Sequence, residues 1–331
     1  MMDRRGFLVA AGAASLFCFD LASAQAAKAA KVAAPASPVG FRVPAGVVDS
    51  HCHVFDPARF AYSPKRRYTP PAATVADLRR FHASIGVQRT VVVQPSVYGT
   101  DNACLLDALR QFGASARGIA VIDKSFSGQQ IDDLIGAGVR GVRINLEVGQ
   151  NHDVEGAYRR LSETVETLRG RPAVIQIFAA LPVIQALAPR IQAQPHPVVL
   201  DHFGFAKAAH GAQQAGFSAL TGLMASGKVF VKLSAPYRIS ERAPYPDTAP
   251  IGRALVEAAP GQVVWGSDWP HTGATERRGN AKPTDIEPFR EENEVRDFSL
   301  VKAWAHSETT RRRLLVENAV RLFGFSTDVG L

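Results

Sequence analysis

Residues Val47 to Pro57 read VVDSHCHVFDP. Two valines lead into an aspartate and a pair of histidines one residue apart, and the reading of this run decides the fold. In an extended strand alternate side chains share a face, so His51 and His53 point one way and Cys52 the other. Seven more runs rich in valine and isoleucine follow: RTVVVQPS from 89, RGIAVID from 117, VRGVRINL from 139, PAVIQIF from 172, HPVVLDHF from 196, KVFVKLS from 228 and QVVWGSDW from 262. Apolar residues recur between them at helical spacing, as Leu78, Phe81 and Ile85, then Leu105, Leu109 and Phe112, then Tyr158, Leu161, Val165 and Leu168. Strand alternating with helix implies parallel strands joined by crossovers. Eight such units predict a single α/β domain over 45–331, a closed (β/α)8 TIM barrel. An open doubly wound sheet is the alternative, but no run is followed by the phosphate-cradling patterns GxGxxG or GxxxxGKS.

Polar residues fall at the ends of these runs. His51 and His53 close the first, Ser96 the second, Arg143 and Asn145 the fourth, Gln176 the fifth, His202 the sixth, Lys232 and Ser234 the seventh and Asp268 the eighth. Such groups are costly inside a barrel, so they are expected at its C-terminal rim, where barrel enzymes carry their sites. One strand-end histidine is ordinarily a satisfied structural residue. Convergence from several strands is what points to a site.

The first residues read differently. Asp3-Arg4-Arg5-Gly6-Phe7-Leu8, a mostly apolar stretch from Val9 to Phe19 and the small residues Ala22-Ser23-Ala24 predict a twin-arginine export signal over 1–26, and with it a periplasmic location. The apolar stretch is shorter than the roughly 20 residues that a membrane span needs, so no stable membrane anchor is expected. Residues 27–44, rich in Ala, Lys and Pro, read as a flexible leader, with folding expected to begin near Val47. Cleavage of the signal would remove Cys18 and leave Cys52 and Cys104, too few for a disulfide framework, though one bridge stays open. A formal net charge of +8 favours anionic partners. The basic residues are scattered without interleaved aromatics, which excludes the usual nucleic-acid pattern and fits a small acidic substrate.

VVDSHCHVFD, VVLDHFG and VVWGSDWPH, with the closing helix VENAVRLFGF, resemble the amidohydrolase superfamily, and within it the barrel lactonases that act on pyrone dicarboxylates. RYTPPAAT and VVVQPSVYGTDNACLLDALR carry the likeness to that branch, which runs from Val47 to Phe325. The resemblance implies a hydrolase that opens the ring of a carboxylated lactone or pyrone. Asp268 would activate water, while His51, His53 and His202 polarise the carbonyl. Arg143 and Arg238 would clamp substrate carboxylates, with Tyr68, Ser96 and Gln176 lining the pocket. Arg140 lies on the opposite strand face and has the weaker claim.

Binuclear members of the superfamily carry a bridging lysine on strand four and a histidine on strand five. This chain has Arg143 and Asn145 in the one and Gln176 in the other, so two metals are not expected. The resemblance implies that no cofactor is required; the alternative is a single zinc or other divalent metal on His51, His53 and Asp268, with His202 as a further ligand. Two arginines of the pyrone enzymes are missing, with Gly149 and Phe205 in their places, so a substrate with fewer negative charges or a more apolar body is expected. The rival readings are a zinc-dependent decarboxylase of an aromatic or unsaturated acid and a non-catalytic periplasmic binder of a small anion. The segment from Thr272 to Glu292 reads as either a lid over the rim or an exposed loop.

Overall fold

A computed structural model describes residues 39–146, 153–273 and 282–327. The expected export signal, the leader up to residue 38, Gly149 and the middle of the segment after strand eight lie outside the described residues. Among the described residues no helix is long and apolar enough to cross a membrane.

The eight valine-rich runs are eight parallel strands: β1 (Val48–Cys52), β2 (Arg89–Val93), β3 (Ala116–Ala120), β4 (Val139–Asn145), β5 (Val174–Phe178), β6 (Val198–Leu200), β7 (Val229–Ser234) and β8 (Val263–Gly266). They stand in sequence order in one sheet. The seam between first and last is bonded just beyond β8, where Asp268 N donates to His51 O at 2.7 Å and His53 N to Trp269 O at 2.8 Å. Closure of the barrel and placement of three expected site residues, His51, His53 and Asp268, therefore share the same bonds.

The crossovers are α1 (Val75–Ile85), α2 (Ala103–Phe112), α3 (Gly128–Gly136), α4 (Val154–Leu168), α5 (Leu181–Ala193), α6 (Phe217–Ala225) and α7 (Ala249–Ala258). Local chemistry sets their ends. Thr74 and Asp77 form a reciprocal capping box at the start of α1, and Gly86 ends it in the left-handed conformation at φ 78°. The predicted stripe Leu78, Phe81 and Ile85 is buried. After β8 the chain adds α8 (Glu294–Ser299), α9 (Val301–Trp304), α10 (Glu308–Arg312) and α11 (Asn318–Phe323). Ala319, Phe323 and Phe325 join Val48, Val91, Val199, Phe230 and Val264 in one cluster that fills the lower interior. Packing also starts earlier than expected. Val39 and Phe41, in the stretch read as leader, are buried, with Phe41 edge-on to Phe298 at 5.4 Å.

One irregularity in β1 decides which way the histidines face. Asp49 pairs with Thr90 and Cys52 with Val92, so three steps on β1 oppose two on β2, which is a bulge. Val48 lies in the interior cluster, and strict alternation from it would turn His51 and His53 outward. The bulge reverses the parity. Asp49, before the bulge, turns out to His82 of α1 (3.0 Å) as alternation requires, while His51, beyond it, turns in. Gly266 on β8 makes room for it, since a Cβ there would lie 2.7 Å from His51 Cβ.

Candidate active site

The inward polar side chains form two tiers. In the lower, Gln176 (β5), Asp201 (after β6), Lys232 (β7) and Arg143 (β4) surround one edge of the His51 ring. Gln176 Nε2 donates to Asp201 Oδ2 at 2.9 Å and Lys232 Nζ donates to Gln176 Oε1 at 2.7 Å. His51 Nδ1 is 3.2 Å from Lys232 Nζ and 3.2 Å from Asp201 Oδ1. Arg143 Nη2 reaches Asp201 Oδ2 at 3.4 Å. Sequence position put Gln176 among substrate contacts and Lys232 at the rim. Both lie mid-strand and are as enclosed as His51, with their polar atoms engaged within this tier.

The upper tier holds His53, His202 and Asp268. Asp268 Oδ2 accepts from Tyr237 Oη at 2.6 Å and from Arg238 Nε at 2.9 Å. Its Oδ1 faces His51 Nε2 at 3.3 Å and His53 Nε2 at 3.5 Å, is buried, and has no hydrogen-bond partner. His53 Nδ1 meets Val93 O at 2.8 Å. A carbonyl only accepts, so Nδ1 carries the proton, and in the neutral ring Nε2 offers a lone pair. His202 Nδ1 pairs with Ser234 Oγ at 3.0 Å, and its ring lies 4.8 Å from that of His51. Backbone strain collects here: His202, Phe203, Phe205, Asp268 and His271 all have positive φ, a conformation costing about 1–3 kcal/mol per residue that persists where the surroundings enforce it.

Electrostatics follow from this enclosure. Burial pushes the Asp268 carboxyl up, but the charges around it, that of Arg238 foremost, outweigh it and hold the group well below the usual carboxylate range. Burial, reinforced by Lys232, lowers His51 to about 3 despite the pull of Asp201. Burial also lowers His202 well below its ordinary value. Lys232 is lowered by burial to about 8, with Asp201 opposing. At neutral pH the tiers thus combine neutral His51 and His202 with ionised Asp268 and Asp201.

The expected anion clamps converge. Arg143 and Arg238 stand 5.2 and 5.7 Å from the same Phe178 ring. Tyr68 lies beside Ser96 and within electrostatic reach of both guanidiniums. Phe205 packs on Phe178 at 5.1 Å and makes an apolar wall beside the two guanidiniums. From Arg143 and Ser96 a cavity of about 480 Å³ runs outward past Gln94, Thr100 and Arg160. Arg140 does face the outer side, donating to Ile135 O and Val139 O. Cys52 and Cys104 are both free and buried. In the segment after β8, the described part crosses the rim: Glu287 N donates to Thr69 O at 2.8 Å, and Phe289 packs on Phe55 at 5.8 Å.

His51, His53 and Asp268 can hold a metal. Ligand atoms 3.3 and 3.5 Å apart match the edge of a tetrahedron, about 3.4 Å, around an ion with bonds of about 2.1 Å. The donor set suits zinc or a similar divalent cation. Sequence reasoning assigned nothing to Asp201, Tyr237 or His271. Asp201 stood in the quoted VVLDHFG and His271 in VVWGSDWPH, so the signal was present. His271 is buried, lowered by burial to about 4, and lies edge-on to Tyr237 at 5.8 Å.

Comparison with known proteins identifies the family and the fold. The family model described as amidohydrolase matches residues 48–325. A 2-pyrone-4,6-dicarboxylate hydrolase of Comamonas testosteroni is 34% identical over 299 residues, covering 86% of this chain and 92% of that protein. A 4-sulfomuconolactone hydrolase of Rhizobium radiobacter is 33% identical over 297 residues, covering 88% and 94%. A solved apo structure from Agrobacterium tumefaciens superposes with a TM-score of 0.72 at 25% identity, covering 86% of this chain and 97% of that one.

Proposed function

The chain belongs to the amidohydrolase family, and from that premise we propose that it is a hydrolase that opens the ring of a carboxylated lactone or pyrone. The observation that carries the proposal is Asp268: one carboxylate oxygen is pinned by Tyr237 and Arg238, and the other is buried, unpartnered and turned to two imidazoles. Two relatives whose names specify lactone or pyrone hydrolysis support the same reaction class.

The three histidines, given one role in the sequence, separate here by their hydrogen bonds. A water between Asp268 Oδ1 and His53 Nε2 meets two acceptors, which orient its lone pair toward a carbonyl carbon. Asp268 takes the proton as the new C–O bond forms. N–H groups of His51 and His202 receive the oxyanion of the tetrahedral intermediate. When the ring C–O bond breaks, the proton on Asp268 passes to the departing oxygen. The substrate carboxylate lies across Arg143 and Arg238. Its charge offsets the cation that holds Asp268 down, so binding itself strengthens the base. Phe205 and Phe178 favour a substrate with an apolar flank over one negatively charged on every side. A divalent cation on His51, His53 and Asp268 would supply Lewis-acid polarisation or an acidified water. That fit also favours, as a second reading, a metal-dependent decarboxylase.

The test is a panel of carboxylated lactones and pyrones with protein stripped by chelator, followed by ring-opening absorbance. Turnover without added metal is expected. Folded protein that opens no member of the panel would overturn the proposal. Carbon dioxide release that the chelator abolishes would favour the decarboxylase, and binding without turnover a ligand-binding protein.

A further inference from the structure

Lys232 takes no direct part in the chemistry above, yet its ammonium touches a ring that does. It projects from β7 into the barrel and is fully buried. Nζ approaches His51 Nδ1 at 3.2 Å in hydrogen-bonding geometry and is anchored on Gln176 Oε1 at 2.7 Å. Asp201 Oδ1 is equally near Nδ1 but makes no hydrogen bond, while Asp201 Oδ2 is engaged by Gln176 and Arg143. An ammonium has donors only. The Nδ1 that faces it must therefore accept, which leaves the proton of the neutral ring on Nε2, the edge 3.3 Å from Asp268 Oδ1.

We propose that Lys232 is a positioning residue that fixes His51 in the Nε2–H tautomer, making it a hydrogen-bond donor toward the substrate carbonyl and withholding the lone pair that a zinc ion would need. The catalytic consequence rests on the ring-opening reading; the tautomer does not. Gln176 aims the device, its oxygen on the ammonium and its nitrogen on the carboxylate. Without the ammonium, Asp201 is the remaining partner of Nδ1. The proton then moves to Nδ1, and Nε2 becomes a metal ligand backed by a carboxylate, the arrangement that raises the affinity of metal-binding histidines.

The experiment is two-bond ¹⁵N–¹H NMR of histidine-labelled protein, paired with zinc affinity by chelator competition. Wild type should show His51 protonated on Nε2. Lys232→Met should show it protonated on Nδ1 and bind zinc at least about tenfold more tightly, with kcat reduced and KM little changed. Lys232→Arg, which keeps a donor, should retain the wild-type tautomer. Nδ1–H in the wild type overturns the proposal, as does a Lys232→Met variant with unchanged tautomer and zinc affinity. The wild-type spectrum needs no variant, so it decides even where Lys232→Met fails to fold, and it decides whether or not any lactone is opened.

Discussion

Replacing Gly266 by alanine strikes the site through its packing rather than its chemistry. The added Cβ would lie 2.7 Å from His51 Cβ, 2.8 Å from His51 N and 3.2 Å from His51 Cα. Carbon atoms rest at about 3.5–4.0 Å, and backbone atoms cannot swing aside, so β1 and β8 must part by roughly 0.7 Å at the seam. Overpacking of this kind costs about 1–3 kcal/mol. The same shift carries His51 Nε2 away from Asp268 Oδ1, and a misplacement of about 1 Å at reacting groups costs on the order of a hundredfold. Gly266→Ala should therefore lower kcat by about 10- to 100-fold. KM should change less, because Arg143 is carried by β4 and Arg238 by the turn after β7. Ring-opening kinetics and a thermal melt read both effects. A variant that keeps wild-type kcat within about twofold and melts at the same temperature would refute the reasoning.

Three further outcomes follow from particular groups. Asp268 is held well below the carboxylate range, so it is ionised above the acid region and its function is lost only as pH falls below its ordinary value. The pH profile of kcat/KM should show no carboxylate limb between about pH 5 and 7. Burial raises Asp297 from 3.8 to about 6, so between those values the folded protein holds a proton that the unfolded chain has released. Stability should fall as pH rises through that window, and melts of Asp297→Asn should lose the slope. Arg143→Lys removes a planar fork and leaves a point charge, which should raise KM by about tenfold with kcat less affected; an unchanged KM would take Arg143 out of the clamp.

Much of this was legible because the physical signal was local. Valine-rich runs separated by helical stripes specify strands and crossovers, and they became β1 to β8 with the expected order. Polar residues at the ends of those runs converged as alternation predicts, Arg143 inward and Arg140 outward. The bulge between Asp49 and Cys52 was not legible, since it arises from pairing between β1 and β2 rather than from composition. The two-residue spacing of His51 and His53 correctly gave them a common face; which face was decided by the bulge. Gln176 and Lys232 looked like rim residues because sequence gives order along a strand but not depth within a barrel. The separate roles of the histidines depend on partners such as Val93 O and Lys232 Nζ, which come from distant parts of the chain.

The central claim is that the Asp268 carboxylate activates water for ring opening. Its most direct test is single-turnover ring opening by Asp268→Asn, measured beside equilibrium binding of the same carboxylated lactone. The account predicts a chemical step slowed by about 10²- to 10⁴-fold with binding retained. Ring opening at the wild-type rate by a variant that binds normally would contradict it.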